Sequence, residues 1–284
     1  MRKFSNKSIL SFLPFVGAVA LCAGACSSKT NPSDGGGDGA GGPMFVGVPL
    51  KPTSTGFVDD RTNSGVVGAW YAYGDSAGAA ANVNGTDFAD SDCAKGGYTM
   101  DQCSQITTPI PGQPFAPDAT GAMCTQGTAA KVLMSTTGTT ANYSDLWGAG
   151  IGLDLNNLGG DSGVGKGVYD LSKYVGIGFD FTGTLIPTNK MRVNFPFTGE
   201  HGTDSPFWNG ATGSSSPLTN NAHVEIKWSD VGGPSYLPSQ TPPVTPPPFD
   251  DTKVSAIQFQ VFTNTSTATP YQFCVNNLTL LTKL

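Results

Sequence analysis

Between residues 65 and 280, apolar and polar side chains alternate in short runs, each closed by Gly, Pro, Asn or Ser. The runs fall at 65–73 (GVVGAWYAY), 130–135, 150–155, 175–181, 190–195, 223–228, 254–262 and 271–280. A period of two predicts strands buried on one face. Ile177, Phe179 and Phe181 then point one way, as do Val193 with Phe195, Val224 with Ile226 and Trp228, and Ile257 with Phe259 and Val261. The opposite faces carry Asp180, Arg192, Asn194, His223, Glu225, Lys227, Gln258 and Gln260. Seven or eight strands with turn-rich links predict an all-β single domain, a jelly-roll β-sandwich whose apolar halves form the core. No run suits a helix longer than two turns. The stretch 76–128 breaks the pattern with small residues and three cysteines, and reads as an insertion within a domain spanning 44–284. The run 234–248 (PSYLPSQTPPVTPPP) is expected to be a stiff surface loop, because Pro cannot serve a central strand.

Composition sharpens this. With 38 Gly and 21 Pro, about a fifth of the 284 residues resist long helices, which argues against bundles and doubly wound α/β folds. Two histidines leave little for His-based catalysis or a His-rich metal centre. Fifteen Lys and Arg against 21 Asp and Glu give a net charge of −6 with no basic cluster, so nucleic acid is excluded as a partner. No H-E-x-x-H or phosphate-binding G-x-x-x-x-G-K-[ST] occurs.

The first 25 residues read as an export signal: Arg2, Lys3 and Lys7, an apolar stretch at 9–21, then Ala23-Gly24-Ala25 as a cleavage site. Cys26 and the Gly-rich tether at 26–43 resemble a bacterial lipoprotein precursor, in which Cys26 takes the lipid. Ala23 departs from the Leu usual in that pattern, and ordinary cleavage after Ala25 with secretion is the alternative. The reading places the domain at the outer membrane, cell surface or periplasm, attached to a membrane through its lipid alone, as a monomer. Export also exposes thiols to oxidation. Cys93, Cys103, Cys124 and Cys274 then form two disulfides; of three connectivities, a local Cys93–Cys103 staple with Cys124–Cys274 is favoured. A zinc site is disfavoured because no C-x-x-C occurs.

Asp180, Arg192, Asn194, Gln258 and Gln260 form a set suited to sugars, whose hydroxyls both donate and accept while their apolar faces stack on aromatic rings. The plain alternative is the wet side of an antiparallel sheet.

Several motifs then resemble galactose-binding-like jelly rolls, among them family 11 carbohydrate-binding modules. They are 147–156 (WGAGIGLDLN), 169–179 (YDLSKYVGIGF), 192–196 (RVNFP), 255–260 (SAIQFQ) and 271–278 (YQFCVNNL), with Val58-Asp59-Asp60 and 69–73 (AWYAY) at the start. The resemblance implies a non-catalytic module that binds a β-glucan-like polysaccharide in a groove on one sheet. It also implies a structural calcium, for which Asp59, Asp60 and Asn277 are the candidate ligands, although Asn276-Asn277 stand where an acid is usual. Tyr71, Tyr73, Trp147, Trp208 and Tyr236 are candidate groove aromatics, with Trp208 expected to be exposed in its loop. Two other functions stay open: a structural or adhesive surface protein without a glycan ligand, and a glycoside hydrolase using Asp180 and Glu225.

Overall fold

The computed structural model describes residues 45–77, 88–112, 114–134, 141–157, 167–185, 191–197, 205–208, 218, 220–232 and 248–283. Cys26, Tyr236, the export segment and the tether lie outside them. Within them, the strands are β1 (Phe45–Pro49), β2 (Phe57–Asp60), β3 (Val66–Gly74), β4 (Gln105–Thr108), β5 (Met123–Ala129), β6 (Gly148–Asp154), β7 (Gly176–Leu185), β8 (Met191–Asn194), β9 (Phe207–Trp208), β10 (Ala222–Lys227), β11 (Ala256–Phe262) and β12 (Thr269–Lys283). They build two six-stranded sheets, antiparallel throughout. The first runs β10-β7-β12-β5-β4 with β1 also on β12; the second runs β2-β3-β6-β11-β8-β9. From β5 onward, the short β9 aside, consecutive strands alternate between the sheets. The architecture is the expected jelly-roll β-sandwich.

The period of two places the core as read. Ile177, Phe179 and Phe181 of β7, Val193 of β8, and Ile257, Phe259 and Val261 of β11 are all fully buried. Phe179 meets Phe259 across the interior edge to face at 4.9 Å, and Trp70 stacks on the same ring at 6.1 Å. Each such side chain contributes roughly 1.5–3 kcal/mol by leaving water. Trp228 sits in a short 3₁₀ turn after β10, yet its ring still packs on Phe195 and Phe249.

Two expectations need correction. The stretch 76–128 contains β4 and all but the last residue of β5, and β5 pairs along β12 inside the first sheet, so these two segments belong to the sandwich and not to an insertion. Its alternation escapes notice because Thr125, Gly127 and Ala129 are too small to mark an apolar face. Conversely, the described part of the expected strand at 130–135, residues 130–134, is not a strand. Lys131 and Met134 make isolated bridges only, while Ala130 and Val132 pack into a satellite core with Leu146 and the Cys93–Cys103 pair. Both favoured disulfides form: Cys93–Cys103 staples a loop of ten residues, and Cys124–Cys274 joins directly facing positions of β5 and β12.

Candidate functional site

The registers of the second sheet draw its outer face as two transverse rows. One row is Tyr71 (β3), Gly152 (β6), Gln258 (β11), Asn194 (β8) and Phe207 (β9). The other is Tyr73, Gly150, Gln260 and Arg192. Glycines therefore make the floor between a tyrosine wall and an amide wall. A Cβ on Gly152 would sit 3.0 Å from Gln258 Cγ and from Tyr71 Cζ, and one on Gly150 would sit 1.9 Å from the Phe259 carbonyl oxygen. The missing side chains let Tyr71 and Gln258 lean together, and Gln258 Nε2 donates to the Tyr71 hydroxyl at 2.9 Å. Along β3 the rings of Tyr71 and Tyr73 lie 5.9 Å apart, and Trp147 stacks on Tyr73 at 5.8 Å.

Gln260 organises the amide wall. Its Oε1 accepts from Arg192 Nε and from Asn194 Nδ2, both at 2.7 Å, while its Nε2 donates to the Trp147 carbonyl at 3.0 Å. The Arg192 guanidinium lies over Phe207 at 5.2 Å and Phe262 at 5.9 Å, a cation–π arrangement that holds a buried charge. This is not the solvated surface that alternation alone implies. Asn194 and Gln260 are fully buried, and Arg192 and Gln258 are each 9% exposed. Tyr71 and Tyr73 keep partial exposure. Burial holds both tyrosine hydroxyls well above their usual pKa, so they are neutral hydrogen-bonding groups. Among the described residues, the Asn194 Oδ1 and Gln258 Oε1 acceptors and the Tyr73 hydroxyl are buried without a hydrogen-bond partner. An acceptor left so costs about 1–3 kcal/mol until something donates to it.

Four of the expected site residues thus come together: Arg192, Asn194, Gln258 and Gln260. Asp180 does not join them. It lies on β7, in the other sheet, where His223 Nδ1 is 2.7 Å away and Asn277 Nδ2 donates at 2.6 Å. The Asn277 amide, with His223 beside it, holds this carboxyl below its usual range. Trp208 is also misassigned. It pairs with Val193, shares that residue's inward face and is 5% exposed; its neighbour Phe207 faces the amides instead. Phe207 was missed because a two-residue strand shows no alternation to read.

The calcium ligands do not fit an ion. Asp59 and Asp60 are adjacent on β2 and so point to opposite faces. Asp59 pairs with exposed Arg61, Asp60 accepts from Asn63 and Ser64 in its own turn, and Asn277 is committed to Asp180. Asn277 adopts φ 51° at a bulge in β12, a left-handed conformation that Asn tolerates, so its role there is conformational. Asp118 lies near Cys124 and Cys274, but those sulfurs are joined to each other and offer no thiolate.

Nor do the hydrolase candidates form a cleft. Asp180 and Glu225 flank the exposed His223 on the outer face of the first sheet. The sequence Gly74-Asp75-Ser76-Ala77-Gly78 matches the G-x-S-x-G of a nucleophile elbow, yet Ser76 donates to the Ser104 carbonyl, and His223 sits on the opposite sheet. A cavity of 490 Å³ opens near the β12 bulge, lined by Leu50, Trp70, Met123, Val275 and Asn277 among others. Its lining mixes apolar side chains with Lys51, Thr120, Asn276 and Thr279.

No family model matches the chain, and no curated protein matches it. Among solved structures it is similar to the family 11 carbohydrate-binding module of a cellulosomal cellulase of Clostridium thermocellum, at 15% identity and a TM-score of 0.33, covering 64% of this chain and 81% of that one. A family 11 module from Clostridium thermocellum in complex with a β-1,3-1,4-mixed-linked tetrasaccharide matches at 15% identity and a TM-score of 0.38, covering 80% and 95%. At these scores the sandwich is defined by its own sheets and the site by its own side chains.

Proposed function

We propose that this chain is a non-catalytic polysaccharide-binding module, exported and held at a membrane surface by lipid on Cys26, with its binding face on the outer side of the second sheet. One observation carries the reading: partly exposed Tyr71 and Tyr73 stand beside buried amide acceptors, Asn194 Oδ1 and Gln258 Oε1, that have no donor among the described residues. A pyranose supplies a CH-rich face for the rings, and one of its hydroxyls reaches Gln258 Oε1 once that side chain, 9% exposed, turns outward, while fully buried Asn194 supports it from behind. The charged groups here are few, and Arg192 is committed to Gln260 and two rings, which suits a neutral polymer. A β-glucan is the first ligand to test, followed by xylan and mannan.

The test is isothermal titration of the mature chain against these polymers, with calcium in one arm and chelator in the other. Saturable binding without release of reducing ends, weakened roughly tenfold in Tyr73→Ala and indifferent to chelator, supports the reading. A folded chain that binds none of the polymers refutes it and leaves a structural surface protein as the better account.

A further inference from the structure

We infer that the disulfide-stapled segment 88–104 positions the aromatic end of this face, with Asp92 as the positioning residue for Trp147. The inference rests on the binding reading above and adds the parts that hold its platform in place. The short helix α1 (Asp92–Lys95) is capped by Ser91, whose Oγ accepts from the Ala94 N–H at 3.1 Å. Behind it, Asp75 at the end of β3 grips both ends of the staple. Its carbonyl accepts from the Cys93 N–H at 3.0 Å, and its carboxylate accepts from the Ser104 N–H at 2.7 Å and the Ser104 hydroxyl at 2.8 Å. The same carboxylate accepts from the Gly148 N–H at 2.8 Å, which fixes the backbone next to Trp147.

The Trp147 side chain is fixed from the other end. Its indole Nε1 donates to Asp92 Oδ2 at 2.9 Å. Stacking on Tyr73, at an interplanar angle of 23°, sets the plane of the ring but leaves it free to turn within that plane. The hydrogen bond to Asp92 removes that freedom. Trp147 in turn supplies the carbonyl that Gln260 Nε2 reads, and Gln260 orders Arg192 and Asn194. A chain of contacts therefore runs from the staple through Trp147 to the amide wall.

The test compares Asp92→Ala with Asp92→Asn, whose Oδ1 can still accept the indole proton. The chain has four tryptophans, so the Trp147 indole N–H resonance is assigned with Trp147→Phe. Asp92→Ala is expected to shift that resonance, speed its exchange with solvent and lower affinity for the bound polymer about tenfold. Asp92→Asn is expected to restore both. The inference is overturned if Asp92→Ala leaves resonance and affinity at their wild-type values. It is also overturned if Asn fails to rescue, since Asp92 would then act through helix charge alone. A wild-type chain that binds no polymer, with the resonance still moving in Asp92→Ala, overturns the binding reading and any service to it while showing that Asp92 holds the ring.

Discussion

Asp75 offers the sharpest test of the electrostatics. It is fully buried with no cation beside it among the described residues, and burial pushes its carboxyl from 3.8 up to about 6, against hydrogen bonds from Gly148 and Ser104 that pull the other way. A carboxyl whose folded value lies above its unfolded value binds its proton more tightly in the native state. Its contribution to stability is therefore fully present below pH 3.8 and is lost as pH rises through about 6. The interval corresponds to about 3 kcal/mol by neutral pH. Asp60, Asp118, Asp170, Asp180 and Asp250 act in the opposite sense. Their carboxyls are held below the usual value by local donors, so their contributions are present above 3.8 and fade as pH falls. Asp75→Asn separates the two effects, because the amide keeps the shape and cannot ionise. Guanidinium unfolding followed by tryptophan fluorescence, at pH 4 and pH 7.5, gives the stability of each protein. The variant is expected to gain on the wild type by about 2 kcal/mol between those two pH values, since part of the effect is already lost at pH 4. If the gap between the two proteins does not change with pH, the hydrogen bonds outweigh desolvation and the reasoning is wrong.

Other outcomes follow from packing. Gly150→Ala drives a Cβ into the Phe259 carbonyl and is expected to cost about 3 kcal/mol in denaturant unfolding, whereas Gly152→Ala meets side-chain atoms of Gln258 and Tyr71 that can shift, and is expected to cost less stability while weakening polymer binding. Trp208→Ala empties a core site and should cost about 3–5 kcal/mol, while Phe207→Ala should chiefly reduce affinity in titration; equal stability losses would mean the two faces of β9 are reversed. Replacing Cys124 and Cys274 together by Ser opens a span of 150 residues and is expected to lower unfolding free energy by about 2–5 kcal/mol.

Long alternating runs carried the fold. β7, β10 and β11 were legible because each presents bulky apolar residues every second position, and the same parity put Arg192, Asn194, Gln258 and Gln260 together across two strands. Parity cannot say which sheet a strand joins. Asp180 therefore looked like a neighbour of Arg192 although it belongs to the other sheet. Strands made of small residues, such as β5, or only two residues long, such as β9, give no periodic signal. Burial of the amides was equally hidden, since a polar face reads as wet until its cover and its network are seen.

The first sheet has its spine at the end of the chain: β12 spans fifteen residues and pairs with β1, β5 and β7. All three of these partners precede it in the sequence. A chain made from its amino end therefore presents β1, β5 and β7 before the strand that joins them. The ten-residue staple can be tied early, but Cys124 has to wait for Cys274.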